Sequence, residues 1–171
     1  MEYERQHPVD RFVLKSMGST LLLVGCKQPS AEGMRWLEQQ LVAFGSKHGG
    51  RGTYLHYAFD GGDKSIPDEA TRAAMKSLAE AAPKKLAAIA MVVDYEGFMG
   101  AATRGVLAGV LMAARAPKHL KIFSSVGEGR AWLSAHTTLD VPDADAIAAE
   151  VKRIRAMLEA ETTIASASAR A

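Results

Sequence analysis

Apolar and polar positions repeat with two different periods along this chain, and the switches between them mark its elements. Arg11 to Ser16 and Ser19 to Gly25 are short, mostly apolar runs separated by Met17-Gly18, the pattern of two antiparallel strands joined by a tight turn. In the second run, Thr20-Leu21-Leu22-Leu23-Val24 is almost continuously apolar, which predicts a strand covered on both faces. The period then lengthens. After Ser30, a residue suited to cap a helix, Met34, Leu37, Leu41 and Phe44 recur at three- and four-residue steps and define one buried helical stripe that ends at Gly45 and Gly49-Gly50. Trp36 lies off that stripe, beside Gln40, and reads either as padding at the sheet edge or as part of an interface.

Thr53 to Phe59, with bulky Tyr54, Leu55, Tyr57 and Phe59, reads as a third strand that stops in the loop Asp60-Gly61-Gly62-Asp63-Lys64. Pro67, Asp68 and Glu69 open a second helix, because proline fits the first turn and acids favour the positive end of the helix dipole. Its inward stripe is expected to be Ala74, Met75, Leu78 and Ala82, with Pro83 ending it. Leu86 to Val93 has no charged or hydrogen-bonding side chain and is expected to be the central buried strand, with Asp94-Tyr95-Glu96-Gly97 at its carboxyl end. A third helix from about Phe98 carries Val106, Leu107, Val110 and Leu111, with Gly105 and Gly109 four residues apart. Small residues at that spacing admit a neighbouring backbone, either the sheet or a second copy of the chain, so Gly105, Gly109, Leu111 and Trp36 form the candidate interface. Leu120 to Phe123 is a last short strand. Ser125 and Glu128 then read as a capping box opening a fourth helix through Trp132 and Leu133. Beyond Asp140-Val141-Pro142-Asp143, the positions Ile147, Val151, Ile154 and Leu158 make one amphipathic stripe, a fifth helix.

The order β-β-α-β-α-β-α-β-α-α predicts an α/β fold: a mostly parallel sheet of about five strands, the first two an antiparallel hairpin, with an extra C-terminal helix. Residues 11–160 are expected to form one domain, with residues 1–10 an extension and residues 162–171, small and polar, a flexible tail.

Composition narrows the possibilities. Basic and acidic side chains number 21 and 19 and are spread along the chain, so no stripe invites a phosphate backbone and nucleic acid is not expected as a partner. Cys26 is the single cysteine, which excludes an internal disulfide and a cysteine-based zinc site. Met1 to Asp10 lacks an apolar stretch of the export type. Gly97 to Ala114 is long and apolar, but Arg104 stands in its middle, and a spanning helix needs about 20 apolar residues. The run is read as a buried helix and the chain as cytoplasmic, without a transmembrane segment.

The run Ala87-Ala88-Ile89-Ala90-Met91-Val92-Val93-Asp94, an apolar strand closing on an acid, resembles the central strand of STAS-like domains. The stretch Ile122-Phe123-Ser124-Ser125 through Arg130-Ala131-Trp132-Leu133 is similar to the strand-turn-helix ending of their SpoIIAA-like branch. The family comprises the anti-sigma-factor antagonists and shares its architecture with CRAL-TRIO lipid-binding domains; the resemblance covers about Arg11 to His136. It implies a binding module that docks a protein partner, and a small apolar or lipid ligand is compatible with it. Antagonists that act as switches carry a phosphorylatable Ser or Thr at the helix start after a central strand. In this chain Asp94 to Gly100 offers only Tyr95, and Thr103 follows too late. A phosphorylation switch is therefore not expected.

Ligands of open α/β sheets bind outside the carboxyl ends of the strands. Those ends supply Asp60, Asp63, Asp94, Tyr95, Glu96, Ser124 and Ser125, the candidate pocket. No ligand spacing for a metal accompanies these carboxylates, the glycine pairs match neither a Walker loop nor a dinucleotide fingerprint, and the five histidines are scattered. Cys26 lacks a partnered base and reads as a small hydrophobe. No catalytic residue, metal or cofactor is assigned. The leading expectation is a non-catalytic, regulatory protein-binding module that self-associates. The alternative is a small enzyme or ligand-binding domain using a pocket near Asp60, Asp94 and Tyr95.

Overall fold

The computed structural model describes residues 4–6, 10–26, 29–60, 68–94 and 119–168. Six strands form one sheet in sequence order: β1 (Glu4–Gln6), β2 (Phe12–Met17), β3 (Thr20–Gly25), β4 (Thr53–Phe59), β5 (Ala88–Asp94) and β6 (Leu120–Phe123). The pairs β1–β2 and β2–β3 are antiparallel, and β3 to β6 run parallel. The α/β architecture with an antiparallel start is the one the periodicity predicts. The short edge strand β1 is added to it, from within the stretch read as an N-terminal extension. The hairpin turn is Gly18-Ser19, one residue later than the apolar pattern placed it, and Gly18 takes a φ of +59°, which a two-residue turn demands and glycine adopts without strain.

The described helices are α1 (Ala31–Lys47), α2 (Glu69–Ala81), α3 (Val126–Ser134) and α4 (Ala144–Ser168). They cover both sheet faces. Phe12, Leu14, Leu21, Leu23, Tyr54 and Ile89 pack against Leu37, Leu41 and Phe44 of α1 and the turn that follows α2. On the opposite face Val13, Leu22, Val24, Leu55, Tyr57, Ala90 and Val92 meet Leu133 of α3 and Ile147, Val151, Ile154 and Leu158 of α4. Burial on both faces explains why β3 and β5 lack polar alternation. The helix expected over Gly97 to Ala114, with Gly105, Gly109 and Leu111, lies outside the described residues.

The starts of α1, α2 and α3 are each built from a side chain. Ser30 Oγ accepts from Gly33 N at 3.1 Å, and Asp68 Oδ1 accepts from Thr71 N at 2.7 Å. At α3, Glu128 N donates to Ser125 Oγ at 3.3 Å. The Glu128 carboxylate reaches back mainly to Ser124, whose N and Oγ donate to it at 3.2 and 2.9 Å, with Ser125 contributing less. These bonds hold the Glu128 carboxyl below its usual range.

Two sequence expectations are corrected. Met75 is not inward: it is 37% exposed, because Thr71 and Ala74 are the buried residues of α2, with Leu78 packed beside them, and Met75 lies about 100° around the helix from Ala74. The helix α4 also continues to Ser168, into the stretch read as a tail.

Tyr54 of β4 is buried on the α1 side of the sheet, and its hydroxyl has no hydrogen-bond partner among the described residues. A buried, unpaired hydroxyl costs folding free energy that a phenyl ring does not. Tyr54→Phe is expected to leave the fold intact and to raise its stability by about 1 kcal/mol in urea titration. A loss of that size would mean that the hydroxyl makes a stabilising bond.

Candidate functional site

The parallel strands bring their carboxyl ends to one edge of the sheet. Phe59, the last residue of β4, pairs with Asp94, the last of β5, and Phe123 at the end of β6 pairs with Val92. Of the predicted pocket residues, Asp94, Asp60, Ser124 and Ser125 are described, and all four lie at this edge. Asp63, Tyr95 and Glu96 lie outside the described residues. Asp60 is exposed just past β4, and the two serines are exposed and engaged in starting α3. Trp36 is half-buried, with its ring 5.7 Å from Phe12, so it belongs to the edge of the core beneath α1.

The organising group at this edge is Asp94. The hydroxyl of Tyr57, two residues before the end of β4, donates to Asp94 Oδ2, and Arg155 Nη1 of α4 approaches the same oxygen at 3.1 Å. Arg155 also donates through Nε to Glu159 at 2.8 Å, one helical turn on, and its guanidinium lies 4.9 Å from the centre of the Phe59 ring. The strand places Leu55, Tyr57 and Phe59 on one face by its two-residue period, and α4 crosses that face. Asp94 thus ties two strands and a helix together at one point.

Electrostatics fix the roles in this cluster. Burial pushes the Tyr57 phenol up to about 12, reinforced by its bond to Asp94, so it remains protonated and donates at neutral pH. Arg155 is held more firmly charged, first by Glu159. Neither Tyr57 nor Arg155 can take up a proton from a substrate in these states. Among the described residues no group of three or more His, Cys, Asp or Glu side chains is arranged to hold a metal ion.

Beside the cluster, a cleft of about 460 Å³ opens between α4 and the start of α3. Tyr57, Val126, Ala148, Val151 and Ala156 form its apolar walls, and Lys152, Arg155 and Glu159 its polar rim. Tyr57, Arg155 and Lys152 were not singled out in the sequence. The signal for Tyr57 was its place in phase with Leu55 and Phe59. Arg155 and Lys152 read as the solvated face of an amphipathic helix.

On the other sheet face His56, half-buried in β4, is pushed down to about 4 by burial. Its folded value lies below the unfolded value near 6.5, so the unfolded chain binds the extra proton first. The contribution of this group is therefore full above pH 6.5 and is lost as the pH falls towards 4, by on the order of 3 kcal/mol. His56→Leu is expected to flatten urea midpoints across that window; an unchanged slope would place the acid-sensitive group elsewhere.

No family model, curated protein or solved structure matches the chain. Among the described residues no helix is long and apolar enough to cross a membrane. The run Gly97 to Ala114 lies outside that statement.

Proposed function

We propose that this chain is a non-catalytic, cytoplasmic binding module of STAS-like type that docks a protein partner and works by association rather than by turnover. The observation that carries this reading is the commitment of the polar groups at the strand ends. Asp94 is engaged by Tyr57 and Arg155, and Ser124 and Ser125 are engaged with Glu128, so three of the four described candidates at the strand ends are occupied in holding the edge together. General acid–base work needs a group free to exchange a proton near neutral pH, and a phenol near 12 is not one. The passage from β6 through Ser124-Ser125 into α3, with Trp132 against Phe123, supports the family likeness drawn from those residues.

Self-association belongs to the same proposal. Its candidate residues Gly105, Gly109 and Leu111 lie outside the described residues, and light scattering tests it directly. A chain that stays monomeric at high micromolar concentration removes the dimer. Partner docking is tested by affinity capture from the native cell, followed by calorimetric titration of the purified captured protein. The expected result is saturable binding at a fixed stoichiometry. Captured proteins that give no saturable heat on titration would contradict it.

A further inference from the structure

The cleft beside Asp94 is more than a gap between helices, because its charges are not all spent. The basic side chains of α4 among the described residues are Lys152, Arg153 and Arg155. Arg153 pairs with Glu150 and Glu4, and Arg155 with Asp94 and Glu159. Lys152, exposed on the rim, has no ion-pair partner among the described residues. Its neighbours one turn away along the helix, Ala148, Ala149, Arg155 and Ala156, include no acid to neutralise it. Glu159 on the rim and Asp94 beside the cleft both already accept from Arg155. What the rim has left to offer is an ammonium with three donors, set against the spare N–H groups of a guanidinium held in place by two carboxylates and the Phe59 ring. Below it lie Val126, Val151, Ala148 and the ring of Tyr57.

We propose that this cleft receives an acidic residue of the protein partner, its carboxylate at Lys152 and Arg155 and a neighbouring apolar side chain on the floor formed by Tyr57, Val126 and Val151. The inference rests on the binding reading above and gives it a place and a chemistry. Volume agrees: about 460 Å³ accommodates one large side chain and its carboxylate neighbour, within the range of sites that hold small organic groups. An open, rim-exposed cation contributes selectivity for sign and a modest share of affinity, so an isolated fragment binds weakly.

The test uses the full chain, labelled with nitrogen-15, and 3-phenylpropionate as the probe, with 3-phenylpropionamide as its neutral counterpart. Amide shifts at Val151, Lys152 and Arg155 are expected to saturate with the acid at millimolar concentration, and the amide is expected to bind at least about threefold more weakly. Lys152→Ala should weaken the acid by a similar factor and Lys152→Arg should restore it, while neither changes the fold, since the side chain is exposed and makes no ion pair among the described residues. Equal binding of acid and amide, no saturable shift up to about 20 mM, or unchanged binding by Lys152→Ala would each overturn the proposal. The probe needs no partner, so its failure is separate from a failure of partner capture.

Discussion

Ending the chain before Pro142 is expected to leave it unable to fold as a monomer. The lost segment carries α4, whose Ile147, Val151, Ile154 and Leu158 are all at most 5% exposed and face Val13, Leu22, Val24 and Leu55 of the sheet. Burying four such side chains contributes about 6–12 kcal/mol by area, which is comparable to the whole stability of an ordinary domain. Polar ties run the length of the same contact. Arg11 Nη2 donates to the Leu158 carbonyl at 2.8 Å, Lys15 pairs with Glu150 at 2.8 Å, and Gln6 donates to Glu161 at 3.0 Å. Arg130 adds bonds to the carbonyls of Val141 and Pro142 that fix the approach to the helix. Circular dichroism and light scattering of the shortened chain should report loss of the cooperative transition or a rise in mass. An unchanged melting temperature and an unchanged mass would mean that α4 is an appendage.

A second large loss is expected from one methyl group. Gly45 is buried near the end of α1, where a Cβ would lie 2.1 Å from the backbone oxygen of Lys85 and 2.9 Å from its carbonyl carbon. A backbone carbonyl cannot rotate aside as a side chain does, so α1 must move off the turn that leads into β5. Alanine improves helix propensity by about 1 kcal/mol, but overpacking of this kind costs about 1–3 kcal/mol and more when backbone must shift. Gly45→Ala is therefore expected to destabilise the protein by about 2 kcal/mol or more, read from the urea midpoint at constant slope. A stabilised variant would show that the helix and the turn are not held at this distance.

The strands were legible because their apolar runs are short and bounded, and the caps were legible because Ser30 and Ser125 stand three residues before the amide each one accepts. The two-face burial of β3 and β5 was written in their lack of alternation. Glycine at position 45 read only as a helix stop, since close approach to Lys85, 40 residues on, leaves no local trace. Met75 was misassigned because apolarity outweighed phase: the smaller Thr71 and Ala74 occupy the buried side of α2, and a methionine remains on its flank. The Asp94 cluster shows the same division. An acid at the end of an apolar strand marks a position, and that makes Asp94 legible. Its partners come from 37 residues before and 61 residues after it, so no spacing rule reaches them. Arg155 follows the buried Ile154 on a helix whose polar face looks alike at Lys152, Arg153 and Arg155, and only tertiary packing separates the strut from the cation that has no ion pair among the described residues.

The distinction between a strut and a reactive group can be measured at Asp94. The wild-type chain and Asp94→Asn are assayed on generic phosphatase, esterase and nucleotidase substrates, with and without added Mg²⁺ or Mn²⁺, alongside urea unfolding of both. The account predicts no turnover above the uncatalysed rate for either protein. It also predicts a folded variant that is less stable by about 1–2 kcal/mol, because the amide accepts less strongly from Tyr57 and loses its charge against Arg155. Metal-dependent hydrolysis by the wild-type chain that disappears in Asp94→Asn would contradict it and would make this strand end an active site.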